Sequence, residues 1–152
     1  MLSWMMGLFA VLLGIDEAMK QHVEENMFQG ENRKIPGGRI IIRKVYNRGF
    51  LLNLLDQHPA IIKGTSVVTG LGVLFYDVII FMKKGHHARK LGMTILSAGA
   101  ASNIFDRLVR GKVIDYIGIR TENQFLARIT ANLGDFYIAL GALLTAICNI
   151  GK

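Results

Sequence analysis

Apolar positions along this chain fall in blocks rather than at an amphipathic period. Residues 1–15 and 91–105 carry no charge, residues 64–82 carry one (Asp77), and residues 129–150 carry one (Asp135). A helix needs roughly 17–25 residues to cross a bilayer. The second and fourth blocks reach that length alone. The first and third reach it when their helices run on through polar residues, to about Lys20 and Arg110. The pattern predicts an all-α membrane protein with four transmembrane helices, over about residues 1–20, 62–82, 90–110 and 129–150, in a single integral membrane domain covering residues 1–152. A soluble bundle would show polar faces at the helical period, and residues 67–82 show none. The first block lacks the basic start and small-residue cleavage site of a signal peptide, so it reads as a retained helix.

The connections differ in kind. The longest, about residues 21–63, contains Gly37 and Gly38, then a β-branched run from Arg39 to Tyr46, then a second apolar run from Leu51 to Leu55. These predict a small β-platform at the membrane surface, in the first loop. The second connection is short and basic, with Lys83, Lys84, Arg89 and Lys90. The third opens on Gly111, a helix-capping glycine. An even number of spans puts both termini and the short basic loop on one side. A count of basic residues favours the long loop in the cytoplasm, while charge density favours the short one, so charge alone leaves orientation open.

Composition narrows the chemistry. The chain has 152 residues, 51% hydrophobic and only 19% charged, against about 25% in an ordinary soluble domain. Its mean hydropathy of +0.36 excludes a disordered, solvated chain. The net charge of +7 comes from 18 Lys and Arg against 11 Asp and Glu. The basic loops lie beside spans, so anionic lipid head groups are the expected partner and nucleic acid is not. Cys148 stands alone, which excludes an internal disulfide and a cysteine-based zinc cluster. His86 and His87 are adjacent in the basic loop, and His22 and His58 are isolated. No metal and no cofactor are expected, and no phosphate-binding glycine loop is present.

An ionisable residue inside a span is costly and is a functional candidate by default. Asp135 has no basic residue within helical reach on its C-terminal side, and Arg128 lies about two turns back. The structural alternative is a pairing with an arginine from another helix. Asn103, Asp106, Arg107 and Arg110 recur at spacings of three and four, on one helical face. Their structural alternative is a polar helix end, with the arginines set against the C-terminal dipole. Asp115 lies past Gly111 and can return to the membrane face where Asp135 begins the fourth span. Each aspartate then has an asparagine nearby, Asn103 or Asn132. Of two carboxylates in one site, one holds a proton as the acid and the other activates water. Such a pair titrates as a unit and suits direct water attack on an amide. Cys148 has no neighbouring histidine, so a thiol nucleophile is not expected. Asp77 lies about two turns before Lys84 and is expected to pair with the basic loop.

At this point the residues resemble a known family. Asn103, Asp106, Arg107, Gly111, Val113, Asp115 and Tyr116 match in spacing the long motif of lipoprotein signal peptidase, also called signal peptidase II. Asn132 and Asp135 fit its second motif, Asn47 and Gly49 its Asn-x-Gly element, and Asp16 and Lys20 its polar pair at the end of span one. The resemblance implies an aspartic intramembrane endopeptidase that cuts signal peptides from diacylglyceryl-modified bacterial prolipoproteins. It implies Asp115 and Asp135 as the catalytic pair, with Asn47, Gly49, Asn103, Asp106, Arg107, Asn132, Asp16 and Lys20 supporting them or holding substrate. It also implies a bacterial plasma-membrane location, with both termini cytoplasmic and the active site toward the outer face. The chain departs from the family pattern at Ser102, Ala131, Gly134 and Phe136, and the aromatic usual after Asn-x-Gly is replaced in the region of Leu51 and Leu52. Phe136, directly after Asp135, is the best support for a relative that binds precursors without cutting them. A four-span transporter with Asp135 as a proton relay is a third reading.

Overall fold

The computed structural model describes residues 2–35, 38–49 and 55–150. The expected apolar run from Leu51, all but Leu55, and Gly37 lie outside the described residues. Helix α1 (Leu2–Asn26) is followed by strands β1 (Asn32–Lys34) and β2 (Ile40–Asn47), then helices α2 (Pro59–Met82) and α3 (His87–Phe105). A π-helical turn, Asp106–Arg110, extends α3 to Gly111, whose φ of 72° is the left-handed cap that only glycine adopts cheaply. Strand β3 (Val113–Ile119), the short α4 (Gln124–Arg128), strand β4 (Thr130–Ala131) and helix α5 (Leu133–Ile150) complete the chain.

Three of the described helices, α1, α2 and α5, are long and apolar enough to cross a membrane. Helix α3 is the hub: α1, α2 and α5 all pack on it. Its closest neighbour is α5, because glycines let the two backbones meet. A Cβ on Gly99 would run into the Gly134 carbonyl, and one on Gly141 would stand 2.5 Å from the Gly92 oxygen and the Leu96 nitrogen. Burial on several sides explains why the α3 sequence can hold Ser102 and Asn103 in its interior.

The four strands form one antiparallel sheet in the order β1-β2-β3-β4. The expected platform therefore exists, but the first loop supplies only half of it. Strands β3 and β4 come from the third connection, and the sheet joins the two loops. A bulge between Ile42 and Val45 shifts the β2–β3 register and pairs Val45 with Asp115. The sheet sits on the end of α1, where Val23 and Met27 pack with Ile114 and Tyr116. Lys44 fastens this joint by donating to the carbonyls of Glu24 and Met27 at the last turn of α1.

Candidate active site

The site assembles where α1, α3, β2, β3 and α5 converge. Asp115 projects from β3 and is 4% exposed. Its Oδ1 accepts from the Asn132 amide at 2.8 Å and its Oδ2 from the Asn47 amide at 3.1 Å. Asn47 is oriented in turn by the Gly49 backbone N–H, which donates to its Oδ1 at 3.1 Å. Asp135, in the first turn of α5, accepts from the Asn103 amide at 2.8 Å and from the Asn132 backbone N–H at 3.0 Å. The Asp135 N–H returns a bond to Asn132 Oδ1 at 3.0 Å. Fully buried Asn132 thus touches both carboxylates, one through its side chain and one through its backbone. Asp115 lies on a strand, outside the spanning helices. Burial, and then the neighbouring Asp135 charge, push it up to about 7, against the bonds from Asn47 and Asn132 and the charge of Lys20.

Behind the pair lies a buried ion cluster. Lys20, wholly enclosed, sits 2.9 Å from Asp16 and 3.0 Å from Asp106. It also donates to Ser102 at 2.7 Å and to Asn103 Oδ1 at 3.1 Å. An ammonium offers donors only, so Asn103 must turn its oxygen to Lys20 and its NH2 to Asp135. Asp106 also holds Arg110, which reaches Glu17 at 2.7 Å. Arg107 lies within electrostatic reach of Asp135, Asp115 and Asp106.

Every expected site residue falls in this one region. Sequence reasoning gave no site role to Ser102 or Glu17, and it named Arg110 and Tyr116 only as members of a polar helical face and of the long motif. Ser102 donates to Asp16 at 2.6 Å. The Tyr116 hydroxyl donates to Asp16 at 2.8 Å and accepts from the Leu133 N–H at 3.2 Å, tying β3 to the start of α5. Its match to the long motif and its place next to Asp115 were the signals for it. Asp77 does not pair with the basic loop as expected. Its Oδ2 accepts from Ser97 at 2.6 Å, because the carboxylate faces α3 and not the helix end. Phe136 is 52% exposed. Gly134 is required where it stands, since a Cβ there would come within 2.9 Å of Asn132 and Asp16 side-chain oxygens.

The family model for signal peptidase (SPase) II matches residues 8–150. The chain belongs to the signal peptidase II family. Lipoprotein signal peptidase of Caldicellulosiruptor bescii is 30% identical over 86% of this chain and 79% of its own. That of Fusobacterium nucleatum is 29% identical over 94% of this chain and 84% of its own. A solved bacterial membrane enzyme shares the fold, with a TM-score of 0.84 at 18% identity, covering 98% of this chain and 88% of its own. A second has a TM-score of 0.79, covering 95% and 91%. Membership in this peptidase family makes the chain a membrane enzyme of the lipoprotein-processing type, and its three apolar helices agree with that.

Proposed function

We propose that this chain is an aspartic endopeptidase that removes the signal peptide from diacylglyceryl-modified bacterial prolipoproteins, with Asp115 and Asp135 as its working pair. The observation that carries the reading is the shared Asn132, which ties two buried-site carboxylates from different segments into one unit. Water placed between them loses a proton to Asp135 while its oxygen adds to the scissile carbonyl carbon. Asp115, raised toward neutrality, gives its proton to the carbonyl oxygen. As the tetrahedral gem-diol collapses, Asp135 passes its proton to the leaving nitrogen while one hydroxyl of the diol returns a proton to Asp115, which reforms the carbonyl and resets the pair; no covalent intermediate forms. Asn47, Asn103 and Asn132 hold the carboxylates in place, and Lys20, itself held by Asp16 and Asp106, holds Asn103. Arg107 offers a cation beside the pair for a substrate oxygen.

The same reading makes α3 a fourth span, packed inside the other three, within one membrane domain over residues 1–152. Both termini then lie in the cytoplasm, and the sheet lies on the outer face of the bacterial plasma membrane among lipid head groups. The decisive experiment is cleavage of a lipidated precursor by purified protein. Asp115→Asn and Asp135→Asn each lose activity by a factor of about 10³ or more, while still inserting and melting like the parent. Normal cleavage by both variants overturns the mechanism.

A further inference from the structure

The face of α1 that carries the buried ion cluster does not end at Lys20. Glu24 stands about one turn further on, four residues after Lys20 and eight after Asp16. Its carboxylate gathers two strands. From β2, Lys44 approaches it at 3.0 Å, and the Tyr46 hydroxyl lies 2.9 and 3.1 Å from its two oxygens. From the residue before β3, Lys112 donates to it at 3.2 Å and stands 3.3 Å over the centre of the Tyr46 ring. The proposed cleavage uses none of these four side chains. Two of them adjoin residues it does use: Asn47 follows Tyr46, and Asp115 lies three residues after Lys112.

The sheet needs such a brace. The β2–β3 register shifts between Ile42 and Val45, which puts Lys44 in the bulge. A bulge disrupts the ladder locally. Beyond it, Val45, Tyr46 and Asn47 pair with Asp115, Ile114 and Val113, and there β2 ends. A slip of one residue in so short a stretch would turn Asn47 to the opposite face and take its amide away from Asp115. Side chains alternate across a strand. Glu24 holds Lys44 and Tyr46 toward α1, and so keeps Val45 and Asn47 on the other face, with Asp115.

We propose that Glu24 is a positioning residue for the cleavage: it fixes the β2–β3 register and thereby holds Asn47 on Asp115. The inference rests on Asp115 and Asp135 being the cleaving pair. Asp115 is faced by Asp135 of α5, Lys20 of α1, Arg107 of the π-helical turn and the amides of Asn47 and Asn132. Of these, Asn47 is the one that β2 carries. Its bond favours the carboxylate, so losing it raises the proton affinity of Asp115. Losing the Glu24 charge alone would lower that affinity, and the direction of the change separates the two effects.

A double-mutant cycle tests the coupling. Glu24→Gln lowers kcat for a lipidated precursor about tenfold, the effect of a misplaced catalytic group, with KM little changed. The alkaline fall of kcat moves to higher pH. Tyr46→Phe keeps every charge and moves both in the same direction by less. In an Asn47→Ala background, Glu24→Gln lowers kcat no further. Glu31→Gln, which breaks the pair with Arg33 of β1, serves as control and leaves kcat and its pH dependence as in the parent. Parent kcat in Glu24→Gln, additive losses in the cycle, or a shift to lower pH overturns the proposal. Amide hydrogen exchange reads the brace without cleavage. Glu24→Gln speeds exchange at residues 45–47 and 113–115 about tenfold or more, while residues 117–119 keep the parent rate. That pattern supports the brace even if Asp115→Asn shows the catalytic assignment to be wrong. Parent rates throughout overturn it.

Discussion

At the scale of single residues, the site depends on donors with nowhere else to point. Lys20 carries the largest share, since its removal leaves Asp16 and Asp106 facing each other in a buried space. Lys20→Met is expected to destabilise the protein by about 3–5 kcal/mol, the range for breaking a buried ion pair. It also frees Asn103 to flip and so lowers activity. Tyr116→Phe removes the bond to Asp16, which keeps Ser102 and Lys20, and the bond accepted from the Leu133 N–H, and costs about 2 kcal/mol. Melting both variants in the same detergent checks the order, and equal losses would refute it. A second expectation concerns pH. Asp115 is raised to about 7, so the proton it donates is present below that pH and is lost above it. kcat should therefore fall as pH rises through about 7, and in Asp115→Glu the midpoint should move. A profile flat from pH 6 to 8 would remove Asp115 from the acid role. The carboxylates, asparagines and Lys20 were legible in the sequence because their spacing is local to each motif. The bonds of Ser102, Glu17 and Tyr116 were not, because what defines them is a partner 85 to 100 residues away in the chain.

At the scale of elements, local pattern and long-range pairing part company. The apolar blocks announce α1, α2 and α5 because a span is a property of one continuous segment. The sheet is different. Run 39–46 reads as a strand by itself, but its main partner β3 is about 70 residues on, and β4 is two residues long. Neither pairing has a local signal, so the platform was expected from the first loop alone. The tightest joint in the molecule, α3 against α5, is likewise written in glycines that look unremarkable in sequence. Gly141→Ala places a methyl 2.5 Å from two backbone atoms of α3. Overpacking of this kind costs about 1–3 kcal/mol. It pushes α5 off α3 and should loosen the Asn103–Asp135 bond, so melting temperature and kcat fall together. Gly64→Ala in α2, where nothing lies within 4 Å, is the neutral comparison in the same assay.

At the scale of the whole molecule, the ambiguous charge count bears on the proposed orientation. In the first connection, residues 32–34 and 40–47 are folded into the sheet, and Lys44 is held by Glu24 and Arg33 by Glu31. The positive-inside rule counts basic residues in short segments of up to about 60 residues and within about 15–20 residues of the span ends. The loop between α2 and α3 is such a short segment, and Lys83 and Lys84 are exposed in it. Arg89 and Lys90 at its edge donate to the Cys148 and Lys83 carbonyls, which places their charge at helix C-termini. The proposed orientation therefore sets density in the short loop above number in the long one, with the sheet and the aspartate pair on the outer side. Labelling tests this directly. With Cys148→Ser as background, Lys34→Cys is expected to react with a membrane-impermeant maleimide on intact cells. Lys84→Cys should react only after the membrane is opened. The opposite pattern would invert the molecule and put the pair on the cytoplasmic face, where the diacylglyceryl group of a translocated precursor could not meet it.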